Sequence, residues 1–114
     1  MTASGDLRDR MRFERRAVTA DEYGNDVAGA FEPQFTRWAQ LVPARGSEQV
    51  IASRLEGVQP VTVRVRWDSQ TGSITPDWRA VDTRSGRVYA IKTAADPDRR
   101  RQWMEMLCVS GEAP

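Results

Sequence analysis

The sequence predicts a mainly β protein, a small antiparallel β-barrel or sandwich of about six strands with one inserted short α-helix. Two observations favour this class. Apolar and polar residues alternate in several short segments, which is the period of a strand with one buried face. Turn sequences rich in glycine, proline and aspartate separate these segments. At 114 residues the chain suits one domain, which we expect to span 1–114 with flexible ends at 1–6 and 110–114.

The first strand is predicted at roughly residues 9 to 18. Met11 and Phe13 share one face of this segment, and the other face carries a dense group of charged side chains. We therefore expect a strand with an apolar inner side and a highly charged outer side.

A turn-rich loop is expected next, from Asp21 through Pro33, because glycine, asparagine and aspartate favour turns. A second strand is predicted at residues 35–42, where aromatic and aliphatic residues return. Pro43 is expected to end this strand, since proline cannot donate a backbone hydrogen bond to a neighbouring strand.

The one predicted helix lies within residues 44–57. A serine at its start can cap the first turn, and polar, partly acidic residues follow where the helix dipole favours them. Two apolar residues four positions apart form a narrow apolar stripe. A helix of about ten residues must pack on other elements to be stable. The residues that define it are Ser47, Glu48, Gln49, Ile51 and Leu55.

The clearest strand is predicted at Val61–Trp67. Its apolar residues fall on odd numbers, whereas Thr62, Arg64 and Arg66 fall on even numbers. Because successive side chains of a strand point to opposite faces, one face is expected to be buried and the other basic.

Three further strands complete the predicted sheet. Residues 78–81 and 88–93 are β-branched and aromatic, and residues 82–87 between them read as a hairpin connection. Residues 102–109 form the last predicted strand. In this strand Met104, Met106 and Cys108 alternate with Trp103, Glu105 and Leu107.

The composition argues against an enzyme. The chain has 17 basic and 16 acidic residues, a formal charge of +1, no histidine and one cysteine. It therefore lacks the commonest general base, and Cys108 alone can form neither an internal disulfide nor a zinc cluster. We predict no catalytic residue, no metal and no cofactor. With no apolar run of about 18 residues and no signal peptide, we also expect no membrane association.

The arginines are the remaining candidates for function, as residues of a subunit interface or a DNA channel. They form three clusters, at residues 8–16, 64–66 and 99–101, and Trp67 and Trp103 lie near the last two. A basic face with aromatic residues suits single-stranded nucleic acid. Because the net charge is near zero, solvated arginines answered by nearby carboxylates are the simpler interpretation for one copy. Pairing with acidic groups of neighbouring subunits is a third. The candidates are Arg8, Arg10, Arg12, Arg64, Arg66, Arg99, Arg100 and Arg101.

Seven short motifs follow one another in a fixed order over nearly the whole chain. Each is weak alone, but their order and spacing in a chain of this length are fairly specific. They are Gly5–Met11, Asp21–Asn25, Trp38–Pro43 with Gly46–Glu48, Ala52 with Leu55, Val63–Arg66, Tyr89–Ile91 and Arg100–Cys108.

In this order the motifs resemble the phage head–tail adaptor or head-closure family, also called stoppers or head-completion proteins, of tailed phages, prophages and gene transfer agents. The resemblance implies a β-barrel with one helix and a structural role in the neck of the virion, assembled in the cytoplasm of a bacterial host. It also implies a homo-oligomeric ring, a hexamer or alternatively a dodecamer, below the portal or adaptor ring and above the tail terminator or tail tube. Packaged double-stranded DNA would lie in its lumen.

Two questions stay open from the sequence. The segment from Ala44 to Pro60, which contains the predicted helix, could project into the channel as a gate, although covering the barrel core is the simpler role for the helix. The protein could also be a small β-barrel that binds nucleic acid without forming a ring, which predicts a steep salt dependence of binding.

Overall fold

Six antiparallel strands form a closed barrel in the order β1-β2-β3-β6-β5-β4, and β4 pairs with β1 to close it. The computed structural model describes residues 4–20, 22–43, 59–97 and 99–110. Within the barrel wall, closure pairs each strand on both sides and so removes the exposed edges of an open sheet there. The strands are β1 (Asp9–Ala20), β2 (Asp26–Pro43), β3 (Gln59–Arg66), β4 (Arg79–Asp82), β5 (Val88–Ala95) and β6 (Trp103–Ser110).

The predicted antiparallel barrel of about six strands is confirmed. The strands expected at 9–18, 61–67 and 102–109 correspond to β1, β3 and β6, with ends that differ by one or two residues. Ser110, at the start of the expected C-terminal tail, is the last residue of β6 and is buried.

The prediction of a loop from Asp21 through Pro33 is wrong for most of this range. β2 already begins at Asp26, and only residues 22–25 form the turn that precedes it. The first half of β2 lacks clear alternation, but its register with β1 supplies its backbone hydrogen bonds. Gly24 occupies the turn with φ +80°, a left-handed conformation that glycine adopts without a steric penalty.

The predicted helix within residues 44–57 lies outside the described residues. Within the described ranges, the two helical segments are single 3-10 turns at Ser4–Asp6 and Thr71–Ser73. No helix in these ranges has the length and apolarity to cross a lipid bilayer.

The interior of the barrel is filled by alternate residues of the strands, as the period-2 pattern predicts. Phe13 packs against Phe35 with ring centroids 5.5 Å apart, and Phe35 against Trp78 at 5.8 Å, in tilted geometries that aromatic pairs favour. Burial of these apolar groups is the main stabilising contribution. The buried cluster contains Met11, Phe13, Ala39, Val63, Val65, Ile74, Trp78, Ala80, Tyr89, Ile91, Met104, Met106 and Cys108.

The segment that follows β3 fixes the position of Trp67. The Asp68 carboxylate accepts hydrogen bonds from the backbone N–H groups of Gln70 and Thr71, both at 2.8 Å. Gly72 lies directly against the indole of Trp67, since a Cβ at this glycine would come within 2.8 Å of the ring. The close approach therefore requires a residue without a side chain.

The β1–β2 hairpin extends past the barrel as an arm, defined here as residues 15–20 and 26–32 with the connecting turn at 22–25. Pairing between β1 and β4 ends at Glu14. Among the described residues, β1 beyond this point pairs with β2 alone. Shifts of register between Phe13 and Glu14 and between Arg16 and Val18 mark the transition, as β-bulges do where a ribbon leaves a sheet.

Candidate functional site

Arginines and tryptophans alternate on the outside of four neighbouring strands. Arg10, Trp38, Arg66 and Trp103 form what we call the arginine–tryptophan face. Arg10 on β1 lies opposite Trp38 on β2, and Arg66 on β3 lies opposite Trp103 on β6. In both pairs the guanidinium carbon lies 5.1 Å from the centroid of the tryptophan ring, which is cation–π geometry. The two pairs adjoin because β2 and β3 are neighbours in the barrel.

A groove of about 480 Å³ opens between the two pairs, lined by Leu7, Arg37, Trp38 and Arg66. Trp38 is 51% exposed although it is a large aromatic residue. Arg37 is held at the groove by Asp68, whose carboxylate accepts a hydrogen bond from the arginine Nε at 3.1 Å, and by Gln70. The groove therefore combines apolar surface with two guanidinium groups.

The β5–β6 connection brings Arg99, Arg100 and Arg101 to the same end of the barrel. Arg101 lies over the ring of Trp67 at 5.3 Å, and its backbone N–H donates to the Asp96 carboxylate at 2.7 Å. Arg99 and Arg101 have φ values of 56° and 55°, a left-handed conformation that is uncommon outside glycine. All three side chains are exposed.

Two of the predicted arginines are engaged in ion pairs within the barrel. Arg64 lies opposite Glu105 and donates to its carboxylate at 2.6 and 3.1 Å. Arg12 donates to Glu14 at 2.7 Å. Arg12 therefore pairs with a carboxylate nearby in sequence, as the simpler interpretation expected, whereas the partner of Arg64 comes from a different strand. Arg8 is exposed and donates to the backbone oxygen of Gly5 at 3.2 Å.

Glu14 is a buried carboxylate, only 3% exposed, and it accepts hydrogen bonds from two strands. Arg12 Nε approaches Oε2 at 2.7 Å, and Arg79 Nε approaches Oε1 at 2.6 Å. Burial raises the pKa of Glu14, but the hydrogen bonds and charges of Arg12 and Arg79 outweigh it, so the pKa lies below its ordinary value. Phe31 covers the cluster, with the Arg79 guanidinium 4.2 Å from its ring centroid.

Sequence reasoning missed several of these features. Glu14 sits on the charged face of β1, and its burial depends on Arg79 and Phe31, which are distant in sequence. Trp38 falls within the predicted second strand and one of the motifs, but no local signal places it beside Arg66. Tyr23 lies in a turn, as its neighbours in the sequence predict, but its position at the end of the arm, where it is 81% exposed, follows from the pairing of β1 with β2.

The helix candidates Ser47, Glu48, Gln49, Ile51 and Leu55 lie outside the described residues, so the structure does not place them beside the face. Across the described ranges, histidine, cysteine, aspartate and glutamate form no group of three that could hold a metal ion. Cys108 is buried in the core, and burial raises the pKa of its thiol to about 12.

The fold and the face together define a small closed antiparallel β-barrel that presents stacked arginines and tryptophans on its outer surface. The sequence profile of phage head completion proteins matches residues 2–111. The chain therefore belongs to the phage head completion protein family, and it is a structural component of a virion. This confirms the family resemblance and the predicted virion location.

Two solved structures have a similar fold. The solution structure of protein SF1141 from Shigella flexneri 2a is 27% identical, with 99% of this chain and 100% of that chain covered and a TM-score of 0.68. A chain from the virion of a native gene transfer agent particle is 17% identical, with 91% and 94% covered and a TM-score of 0.60. No match was found among curated protein sequences.

Proposed function

We propose that this protein closes the head of the virion by forming a ring in the neck, below the portal or adaptor ring and above the tail terminator or tail tube. The ring retains the packaged double-stranded DNA and offers the tail a docking surface. The observation that carries the proposal is the family match over residues 2–111. The gene transfer agent chain with the same barrel supports a place in a particle of this kind.

The exposed arginines supply the contacts in this proposal. Arg12 and Arg64 hold carboxylates of their own chain, so their role is to stabilise the barrel. The remaining candidates line the outer surface and meet neighbouring subunits or the DNA channel. Repetition around a hexamer, or alternatively a dodecamer, multiplies each weak contact by the number of copies. These residues are Arg8, Arg10, Arg66, Arg99, Arg100 and Arg101.

The experiment that tests the proposal compares particles assembled with and without this chain. Heads filled in its absence should lose their DNA to added nuclease and should fail to bind tails, while expression of the chain in trans should restore both. Heads that keep their DNA and acquire tails without the chain would contradict the proposal.

The segment from residue 44 to residue 58 supplies a proposed gate. It connects β2 to β3, and the predicted helix with Ser47, Glu48, Gln49, Ile51 and Leu55 falls within it. Deletion of residues 47–55 should release DNA from filled heads that still contain the protein. Heads of normal composition that remain tight would assign this segment to covering the barrel instead.

The arginine–tryptophan face favours one alternative, a barrel that binds single-stranded nucleic acid as a monomer. Bases stack on aromatic side chains, and arginines neutralise phosphates. The formal charge of +1 weakens this alternative because no global field attracts nucleic acid. Binding of a labelled oligonucleotide by the isolated monomer, with a steep decrease as salt rises, would favour it. No binding at low salt would remove it.

A further inference from the structure

The end of the arm exposes apolar side chains together with a carboxylate. Val18 is 73% exposed, Tyr23 81% and Val27 42%, and the exposed Glu22 adjoins Tyr23. Exposed apolar residues concentrated at one end of a projecting element indicate a contact site. Val18 pairs with Ala28 in the β1–β2 register, and paired residues point to the same face of the ribbon. Because successive residues alternate, Val27 points to the other face. A flat partner surface would cover only one face of such an end. Insertion into a groove can cover both apolar faces at once.

The groove lined by Leu7, Arg37, Trp38 and Arg66 has the complementary chemistry. Leu7 and the exposed ring of Trp38 offer apolar surface to an aromatic side chain, and guanidinium groups stack on aromatic faces. Arg66 adds positive charge that attracts a carboxylate beside that aromatic residue, whereas Arg37 is already paired with Asp68. Tyr23 preceded by Glu22 is such a pair.

One copy cannot make this contact with itself, because the two surfaces lie at opposite ends of the β1–β2 ribbon. Arg10, which is opposite Trp38 at the groove, is separated from Ala20 at the arm's end by ten residues of continuous strand. At about 3.3 Å per residue, this distance is roughly 33 Å. Two different surfaces that fit each other between copies give a head-to-tail contact, and such contacts generate closed rings or open filaments.

We propose that the arm of one copy inserts Tyr23 into the groove beside Trp38 of the next copy. This contact would join the subunits of the ring. The inference rests on the proposed function for the closed ring, and it adds the partner and the two surfaces. The partner is a second copy of this chain. One surface offers an aromatic residue and a carboxylate, and the other offers tryptophan, leucine and arginine.

The experiment is cross-linking within filled particles, with cysteines at exposed positions next to the contact so that the contact residues stay in place. Asn25→Cys labels the end of the arm, and Ser69→Cys labels the groove, because Ser69 is exposed between the two residues that contact Arg37. Cys108 is fully buried and does not compete for a bismaleimide cross-linker. A chain that carries both cysteines should give a ladder of multimers up to the full ring.

The single-cysteine chains are the matched controls. Each alone should remain uncross-linked, and an equal mixture of the two should stop at dimers, because each productive contact then uses one arm and one groove. Tyr23→Ala in the double-cysteine chain should reduce the ladder about tenfold, as expected for loss of a central aromatic anchor. Phe31→Leu, on the barrel side of the arm, should leave the ladder in place.

Four results would overturn the contact. Particles that contain the chain and hold DNA but give no ladder would reject it while leaving the proposed function intact. Cross-links to another virion protein would assign the arm or the groove to a different partner. Dimers of the Asn25→Cys chain alone would mean that arms meet arms. Particles without the chain would reject the proposed function and the contact together.

Discussion

Arg66 and Trp103 lie opposite each other across β3 and β6, with the guanidinium carbon of the arginine 5.1 Å from the ring centroid of the tryptophan. Two residues earlier on the same face, Arg64 lies opposite Glu105 and forms an ion pair with it at 2.6 Å. β3 therefore carries two arginines on the same outer face that have different neighbours. Arg64 stabilises the barrel wall, whereas Arg66 is exposed and carries positive charge at the groove.

Charge reversal at Arg66 should affect the particle rather than the fold. Arg66→Glu places a carboxylate in the groove, so we expect filled heads to lose DNA or the ring to fail to assemble. The free energy of unfolding should change by less than about 1 kcal/mol, because an exposed cation–π contact contributes only that much. The measurements are nuclease sensitivity of packaged DNA and denaturant unfolding of the purified chain.

Arg84→Glu is the matched control, since Arg84 is an exposed arginine in the β4–β5 turn. It should leave DNA retention and ring assembly unchanged. Normal particles with the Arg66 variant would remove this residue from the proposed contacts.

Replacement of the buried Glu14 should destabilise the protein. Glu14→Gln leaves Arg12 and Arg79 without the carboxylate that accepts their hydrogen bonds, in a site that Phe31 covers. We expect a loss of roughly 1–3 kcal/mol, since the two arginines remain partly exposed to water and recover some solvation. Urea unfolding monitored by tryptophan fluorescence measures this loss.

Glu105→Gln is the comparison for the Glu14 variant because Glu105 also pairs with an arginine across two strands. Its side chain is 33% exposed, so the cost should stay below about 1 kcal/mol. A Glu14 variant as stable as the Glu105 variant would mean that burial adds nothing to the Glu14 cluster.

The Glu14 cluster also predicts how stability depends on pH. Because the pKa of Glu14 is lowered in the folded state, its contribution to stability is complete above the ordinary value of about 4.5. That contribution is lost as the pH falls through the lower pKa of the folded protein. The free energy of unfolding of the natural sequence should therefore fall more steeply with acidification than that of Glu14→Gln. Parallel curves from pH 6 to the acid transition would refute this assignment.

Cys108 should be unreactive until the barrel opens. Its side chain is fully buried, and burial raises the pKa of the thiol to about 12, so almost no thiolate exists at pH 8. Reaction with a thiol reagent should be at least about a hundredfold slower than that of an introduced exposed thiol at Lys92→Cys. Denaturant should bring the two rates together. Fast labelling of Cys108 in the native protein would contradict the burial.

The sequence predicts the barrel where side chains strictly alternate. Met11 and Phe13, like Val63 and Val65, are buried because a strand sends every second residue to the same side. The family resemblance rests on short motifs that follow these strands, so it can be found before any contact is known.

The features that the sequence does not predict depend on pairing between distant segments. The first half of β2 lacks alternation, and its strand conformation comes from its register with β1. Glu14 reads as a surface residue until Arg79 and Phe31 are placed around it. The arginine–tryptophan face likewise exists only because β3 lies between β2 and β6 in the barrel.

A reconstruction of the neck of a filled particle by electron cryomicroscopy tests the central claim most directly. The account predicts a closed ring of barrels around the DNA, with the arm of each copy seated in the groove beside Trp38 of its neighbour. A neck without this chain, or with single unconnected copies, would contradict the account.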